Sequence, residues 1–569
     1  GSNCMGFYHP AKSVNAGWYE AGKLEAGSIG LISHSGSLFL SLAANDRRMA
    51  YSLFVSPGQE LVVTAADFMH YMLEDEATRV IALFLETVRD PAGFSAALEK
   101  AIARDIPVVA LKVGKTAEAA RLAISHSGAI TGNDAAYEAL FEKYGIMRAR
   151  TVDELMATAT LMSAKKRVKA GGVAAVLDSG GARGLFLDLA AEVGVPMAKI
   201  NAQTEQKLRN RLEYGLDPVN PVDAWGTGQD AQGIFTDCLQ AVVDDPDAAI
   251  GVLITDLSND ADPMSEDFAQ IAVDVDARSE KPVVIGHHWT QLRGRELVTR
   301  LRKKGIPSID GTENLFLAFR HAFAYRDFRA LPTLAAPAPP AADMVGRWRK
   351  RLAEPRVLDE AESLALLADF GIGNPGIAVA SSRAEAQKAA LSLGLPVALK
   401  TAAPGIHHKS DVGGVRLGLA TDEDVGRAYD DLAGRLGPRV LVARMADAGV
   451  ELALGLVQDP QFGALIVVSA GGTLIELLAD RRVAMPPLDR PRAARLVDRL
   501  RLRPLLGGHR GRPAADLDEL ADCIVGFSML AATLGDLIAE LDVNPLIAGP
   551  AGAVAVDALV VPRAAAKKS

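Results

Sequence analysis

Two short glycine-bearing turns, a histidine among small residues and a carboxylate at a strand end are the first groups in this sequence that could do chemistry. The turns are Ser33-His34-Ser35-Gly36 and Asp178-Ser179-Gly180-Gly181-Ala182-Arg183-Gly184, each between a strand-like run and a helix-like one. Glycine lets the backbone approach a ligand closely, and the free N–H groups at a helix start attract an anion. Tight packing of helix on strand explains one such turn as readily as a phosphate does. Two in succession, neither matching the dinucleotide-binding nor the P-loop pattern, point to two helix N-termini directed at one phosphate. The histidine is His126, in Ser125-His126-Ser127-Gly128-Ala129-Ile130-Thr131-Gly132. Small neighbours leave room around its ring, and a neutral imidazole is a competent nucleophile toward a phosphoryl group. Glu86, closing a strand in the same region, can orient such a ring and stabilise its positive form. Taken singly, a loop histidine and a strand-end glutamate are more often plain surface residues.

A second constellation lies near the C-terminus. Leu399-Lys400 precedes Ile406-His407-His408-Lys409-Ser410-Asp411-Val412-Gly413-Gly414-Val415, and Glu540-Leu541-Asp542-Val543-Asn544-Pro545 precedes Asp557. Lysines beside a glycine pair suit the charge of a triphosphate. An asparagine and an aspartate on neighbouring strands offer the hard oxygen ligands that magnesium prefers. Each piece alone reads equally as a hairpin or a solvated charge; their order along the chain is what binds them together.

The elements that must position these groups follow from apolar periodicity. Continuous apolar runs at 28–33, 80–85 and 107–112, separated by helix-like stretches such as 37–42, predict parallel strands covered on both faces. The pattern restarts at 173–177, with a helix over 185–193 and further strands at 249–254 and 282–285. This predicts a second doubly wound domain. A Pro/Ala-rich linker occupies 331–344. Beyond it the pattern changes to a mixed α+β one, with a helix over 360–370 and strands at 397–400, 440–443, 451–457 and 465–469. The chain therefore divides into 1–160, 165–330 and 345–569. Phe39 and Trp225, near the two glycine-bearing turns, shape a ligand pocket or simply pack a core.

The 569 residues exceed what one core can hold, and a 49% hydrophobic, 23% charged composition is that of a globular α/β protein. A net charge of −9 argues against nucleic acid as a partner. Cys4, Cys238 and Cys523 are far apart and form no CxxC pair, which excludes a disulfide framework or cysteine zinc site and fits a reducing cytoplasm. No signal pattern opens the sequence, no apolar run of spanning length is read along it, and no membrane role is expected.

With these motifs in this order, the chain resembles the NDP-forming acyl-CoA synthetases, relatives of succinyl-CoA synthetase and ADP-forming acetyl-CoA synthetase, over nearly its whole length. The resemblance implies two flavodoxin-like, succinyl-CoA-synthetase-type domains: a phosphohistidine domain of the α type and a ligase domain of the β type. An ATP-grasp domain follows them. It implies His126 as the phosphorylated histidine and Glu86 as its supporting glutamate, with Ser35, Gly36, Ser179, Gly180 and Gly181 holding phosphate. Lys400, Lys409 and Glu451 are placed on the nucleotide, Asn544 and Asp557 on Mg2+, and His408 as a second, relaying histidine or part of a lid. ATP/ADP, CoA and a small carboxylic acid or acyl-CoA are the implied ligands, in a homo-oligomer. Fused members carry a Rossmann-type CoA domain ending near a Gly-Pro-Asn-Cys stretch. The opening Gly1-Ser2-Asn3-Cys4-Met5-Gly6 matches that point, so CoA binding is expected from a preceding or separate domain. Around Asp480-Arg481-Arg482-Val483-Ala484-Met485-Pro486-Pro487 the arginine spacing departs from the family, leaving open which arginine meets the nucleotide. The expected reaction joins acid and CoA at the expense of ATP, releasing ADP and phosphate. A CoA-dependent lyase using the same activation, and a regulatory acyl-CoA-binding relative, are the alternatives.

Overall fold

The runs from 80 to 85 and from 248 to 254 are apolar throughout because they lie at sheet centres, with no face left to solvent. The structure is a computed structural model describing residues 3–17, 24–44, 49–116, 118–119, 133–290, 294–335, 337–406, 409–472, 480–509 and 513–566. Among these residues the chain forms two compact units, 1–131 with 144–330, and 132–143 with 331–569.

The first unit carries two sheets. Strands β1 (Gly6–His9), β2 (Val14–Asn15), β3 (Ala26–Ser33), β4 (Tyr51–Ser56), β5 (Val80–Leu85), β6 (Val108–Lys112) and β7 (Met147–Arg148) take the order β2-β1-β4-β3-β5-β6-β7. From β4 to β7 the pairing is parallel; β1 runs antiparallel to both β2 and β4, so one edge is mixed. The second sheet, β12-β11-β10-β8-β9, is parallel throughout: β8 (Gly172–Leu177), β9 (Val222–Asp223), β10 (Ala248–Ile254), β11 (Val283–Gly286) and β12 (Ser308–Ile309). The two sheets share one core, in which Ala82, Val109, Val173 and Val252 meet Leu155 and Phe316 from the helices Val152–Met162 and Thr312–Ala330.

Between those two helices Glu154 is fully buried, with Oε1 2.9 Å from both His321 Nε2 and Arg320 Nη2, and Oε2 accepting the Arg150 N–H at 2.8 Å. Burial works to raise its pKa, but the hydrogen bonds from His321 and Arg150 outweigh it and bring the carboxyl from 4.5 down to about 2. A depressed carboxyl stabilises above its unfolded pKa, and that contribution fades as pH falls from 4.5 toward 2. Glu154→Gln is expected to lower stability by about 3 kcal/mol at pH 7. Denaturant unfolding from pH 7 to pH 2 should show the gap from the parent closing below pH 4.5, the unfolded value.

The second unit also has two sheets. A four-stranded antiparallel sheet, β13-β16-β14-β15, comprises β13 (Ile377–Ala380), β14 (Val397–Thr401), β15 (Val415–Leu419) and β16 (Val440–Arg444). The larger one, β19-β18-β17-β20-β21 with β22 also on β20, uses β17 (Val450–Asp459), β18 (Gly463–Ala470), β19 (Arg481–Ala484), β20 (Ile538–Gly549), β21 (Gly552–Ala555) and β22 (Ala558–Pro562). The helix Leu517–Leu534 buries Leu520, Ile524, Phe527 and Leu530 in this unit's core. Contrary to the sequence expectation, residues 517–537 are long and apolar enough to span a membrane by length and composition, yet here they serve as a core helix.

One helix of this unit comes from far upstream. In Asp134–Tyr144, Ala136 and Ala139 pack on Leu465 and Val483. The Tyr137 ring meets Phe462 edge-on at 5.3 Å, and its hydroxyl donates to Gln461 Oε1 at 3.2 Å. Glu142 pairs with Arg495 and Arg499.

Candidate active site

In the first sheet the chain reverses direction of growth at β3, which has β4 on one side and β5 on the other. The crevice beyond the carboxyl ends of such strands is where open α/β sheets bind ligands. Ser35 and Glu86 both lie there. Ser35 caps the helix Gly36–Ala43, its Oγ accepting the Leu38 N–H at 3.3 Å. That takes one of the N–H groups a helix leaves without internal acceptors, and the others are available to an anion. A Cβ on Gly36 would sit 3.1 Å from Met5 Cγ, so a side chain there would crowd the helix start. Glu86 directly follows β5 and is half-buried; among the described residues its carboxylate has no hydrogen bond or ion pair. Its N–H donates to His34 Nδ1 at 3.1 Å.

The second sheet repeats the arrangement at β8, flanked by β9 and β10. Ser179 caps the helix Gly180–Val193, accepting the Ala182 N–H at 3.4 Å. Residues 180–184, expected in a turn, are the first turn and a half of this helix, because the cap at Ser179 starts it five residues before the predicted 185. Around the same strand ends stand Asp178, Asp223, Asp256 and His288. Both ring nitrogens of His288 lie 3.5 Å from a carboxylate, Nε2 from Asp178 and Nδ1 from Asp256. The bond to Asp256 and the two carboxylate charges raise the His288 pKa, while burial raises that of Asp178. Nothing in local sequence marks this group, which four separate strands bring together. Gly180 faces it, since a Cβ there would touch Asp223 Oδ2 at 3.0 Å. Phe39 is fully buried, stacked 4.3 Å from Phe54, and is a core residue. Trp225 is half-buried, edge-on to Phe235 at 6.3 Å.

In the second unit a cavity of about 570 Å³ opens between the two sheets. Lys409 lies on its wall, with Nζ 2.8 Å from Glu360 Oε2 and 3.1 Å from Asp557 Oδ1. Burial opposes its charge, but Glu360 and Asp557 hold the ammonium above the usual lysine range. Lys400 sits behind the wall, 2.7 Å from Glu360 Oε1 and 2.8 Å from the Val556 carbonyl. Glu360 begins the helix Glu360–Asp369, whose capping box pairs Asp359 with Glu362, so the helix start delivers a carboxylate between two lysines. Asp542 and Asn544, two apart on β20, line the same cavity together with Asp557. The Asn544 N–H donates to the Asp557 carbonyl at 3.3 Å, and Asn544 Oδ1 accepts the Gly472 N–H at 3.1 Å. Burial, then the charges of Glu540 and Asp557, raise the Asp542 pKa. Excess negative charge of this kind favours a cation, and one or two carboxylates beside a phosphate-sized cavity fit a magnesium-bound nucleotide. Of the arginines, Arg356 and Arg439 reach this cavity, whereas Arg482 bonds the carbonyls of Arg481 and Arg499. Glu451, on β17, is exposed, and its carboxylate lies beside Gly472, whose N–H bonds Asn544 of the cavity wall. His126 and His408 lie outside the described residues.

Family models match at 350–561, an ATP-grasp domain, and at 26–162, a succinyl-CoA ligase like flavodoxin domain. The chain is 31% identical over 576 residues to an ADP-forming acetate–CoA ligase I of Archaeoglobus fulgidus, covering 98% of this chain and 81% of that one. It is 31% identical over 588 residues to a trans-feruloyl-CoA synthase of an unknown prokaryotic organism, covering 99% and 80%. A 4-hydroxybutyrate–CoA ligase of Nitrosopumilus maritimus, also ADP-forming, is 27% identical over 574 residues, 96% of this chain and 80% of that one. Among solved structures, the dinucleotide forming acetyl-coenzyme A synthetase 1 of Ca. Korarchaeum cryptofilum, in complex with phosphate and ADP, superposes with a TM-score of 0.50 at 24% identity. It covers 58% of this chain and 71% of that one, a likeness of fold.

Proposed function

The chain belongs to the family of ADP-forming acyl-CoA ligases, and from that premise we propose that it joins a small carboxylic acid to CoA through phosphate carried on His126. The enzyme is an acid–thiol ligase that uses ATP and CoA. The observation that carries the nucleotide half of this reading is the 570 Å³ cavity lined by Lys409, Asp542, Asn544 and Asp557, with Lys400 behind it. A cavity of this size suits a nucleotide. In this reading the β- and γ-phosphates draw on Lys400 and Lys409, now paired with Glu360. Asp542, Asn544 and Asp557 would hold Mg2+, which would supply positive charge to the phosphates. Arg356 and Arg439, which also line the cavity, meet the nucleotide in this reading. Residues 1–160 form the phosphohistidine domain, 165–330 the matching ligase domain and 345–569 the ATP-grasp domain.

The reaction divides in two. His126 accepts the γ-phosphoryl group of ATP, and ADP leaves. The carboxylate of the acid then takes that group from phospho-His126, giving an acyl phosphate, while the helix starts at Ser35 and Ser179 stabilise the transferring oxygens. Attack by the CoA thiol on the acyl carbon releases phosphate and forms the thioester. Holding the phosphoryl group on an imidazole keeps water from intercepting it. His408 either relays phosphate or contacts nucleotide. CoA enters as the thiol substrate, and the ligase works as a cytoplasmic homo-oligomer. A panel of carboxylic acids assayed for ADP release with ATP and CoA tests the reaction and names the acid; no release with any acid would sink it.

Glu86→Gln is expected to keep the fold and to lower phosphohistidine yield about tenfold, the scale of one hydrogen bond to a charged ring. The γ-labelled enzyme, quenched over a time course, checks this. An unchanged yield and lifetime would return Glu86 to the status of an ordinary strand-end carboxylate.

A further inference from the structure

The last ladder bond between β3 and β5 is followed by an unusual one. The backbone N–H of His34 donates to the Phe84 carbonyl at 3.1 Å, as a parallel ladder requires. The next N–H of the partner strand, that of Glu86, then goes to the His34 side chain, at Nδ1. A backbone N–H can only donate, so Nδ1 must be without a proton and the ring hydrogen must sit on Nε2. Nε2 in turn lies 2.8 Å from Glu60 Oε1, an oxygen that also accepts the Ala65 N–H at 3.0 Å, at the start of the helix Ala65–Glu74. The side chains of His34 and Glu60 are 5% and 1% exposed.

This arrangement is costly. The second Glu60 oxygen, Oε2, is buried and has no hydrogen-bond partner among the described residues. The Glu60 backbone is left-handed, φ +52°, a conformation that a side chain with a Cβ adopts only under compulsion. A strained residue and a half-satisfied buried carboxylate are kept so that one imidazole presents an unprotonated nitrogen to one N–H. That N–H belongs to Glu86. The residue after His34 is Ser35, which caps the proposed phosphate-binding helix. One side chain therefore locks the strand end carrying Glu86 to the strand end leading into that helix.

We propose that His34, oriented by Glu60, is a positioning residue for phosphoryl transfer, holding Glu86 in register with the helix start at Ser35. The proposal rests on the reading that Glu86 supports phosphorylated His126. It makes an ordered demand on substitutions. Asparagine at 34 places its Oδ1 where Nδ1 stands and can still accept the Glu86 N–H, while losing Glu60. Glutamine reaches the Nε2 position and can keep Glu60, while leaving the Glu86 N–H without an acceptor.

The test measures phosphoenzyme formation from γ-labelled ATP by the parent chain, His34→Asn, His34→Gln, Glu86→Gln and the His34→Gln/Glu86→Gln pair. Hydrogen exchange of the segment around 83–90 is followed in the same proteins. The expected result is a phosphorylation rate for His34→Asn within about threefold of the parent, and a loss of about tenfold or more for His34→Gln, the scale of one buried hydrogen bond to a reacting group. Faster exchange at 83–90 is expected in His34→Gln alone of the two. In the Glu86→Gln background His34→Gln should add nothing, since both act through one group. The reverse order, with glutamine tolerated and asparagine not, would assign His34 to holding the Glu60 loop and overturn the proposal. So would a full further loss in the double variant. A parent chain that takes no label at all would instead overturn the reading of the reaction, and a labelled parent with an unaffected Glu86→Gln would remove the role of Glu86 and that of His34 with it.

Discussion

His126→Ala is expected to abolish the acid-labile, base-stable phosphate that the parent chain acquires from ATP. With it should go thioester synthesis, by about four orders of magnitude or more, the scale seen when a covalent nucleophile is removed. The size of the effect follows from the separation of tasks. Lys409, Asp542, Asn544 and Asp557, proposed to bind the nucleotide, belong to one compact unit, and the helix starts at Ser35 and Ser179 to the other. If phosphate is carried between the two chemistries on a side chain, no neighbouring group takes over when that side chain is lost. ATP binding should survive, because nothing in the cavity lined by Lys409 and Asp557 is altered. Label retained in full by His126→Ala would move the covalent site elsewhere. His408→Ala, run beside it, separates a relay from a nucleotide contact: a relay role requires His126 to stay unlabelled.

Lys400→Met is expected to have the next largest effect, in two measurements at once. Its ammonium is buried, 2.7 Å from Glu360 Oε1, and Glu360 is itself buried. Removing one partner of such a pair leaves a charge with incomplete compensation, at a cost of about 3–5 kcal/mol. Lys409 still faces Glu360, which places the loss at the lower end of that range. The affinity for ATP should fall at least tenfold, about 1.4 kcal/mol, the contribution of one phosphate-directed cation. Exchanging both partners separates the two roles. Lys400→Met/Glu360→Met removes the stranded carboxylate and should regain much of the stability, as apolar replacements of buried pairs do. Nucleotide affinity should stay low. Denaturant unfolding and calorimetry with ATP read these outcomes; affinity recovering together with stability would make Lys400 purely structural.

How much of this was legible beforehand depended on whether the signal was local. The strand Val80–Leu85 was read to the residue, because six apolar residues stand between Arg79 and Glu86. The helix starting at Glu360 was legible from its apolar spacing and ends within a residue of the expectation. Strand β4 was missed because two serines interrupt Tyr51–Ser56, although all six residues are buried. Strands β7, β9 and β12 are two residues long, too short for any periodicity. Three glycines over 180–184 read as a turn, and the capping bond at Ser179 that makes them helical shows only in the structure. The site divides in the same way. Ser35, Glu86, Ser179, Lys400 and Asp557 sit in readable turns and strand ends. Glu360 meets a lysine 40 positions away, and His34 meets Glu86 across 52. Contacts at that separation leave no trace in a window of sequence. Asp542 did have a signal, since alternation on β20 puts it on the same face as Asn544.

The helix Asp134–Tyr144 bears on how the polypeptide can be divided. The chain passes between its two compact units three times, at 131–132, 143–144 and 330–331, rather than once at the Pro/Ala-rich stretch. A single protease cut within 331–341 would therefore not set the C-terminal part free. The N-terminal fragment would keep a plug, with Ala136, Ala139 and Tyr137 seated on Leu465, Val483 and Phe462 and Glu142 clasped by two arginines, and the fragments should co-purify after nicking. Expressed alone from 331 onward, the C-terminal part would instead show water an apolar socket where that plug belongs.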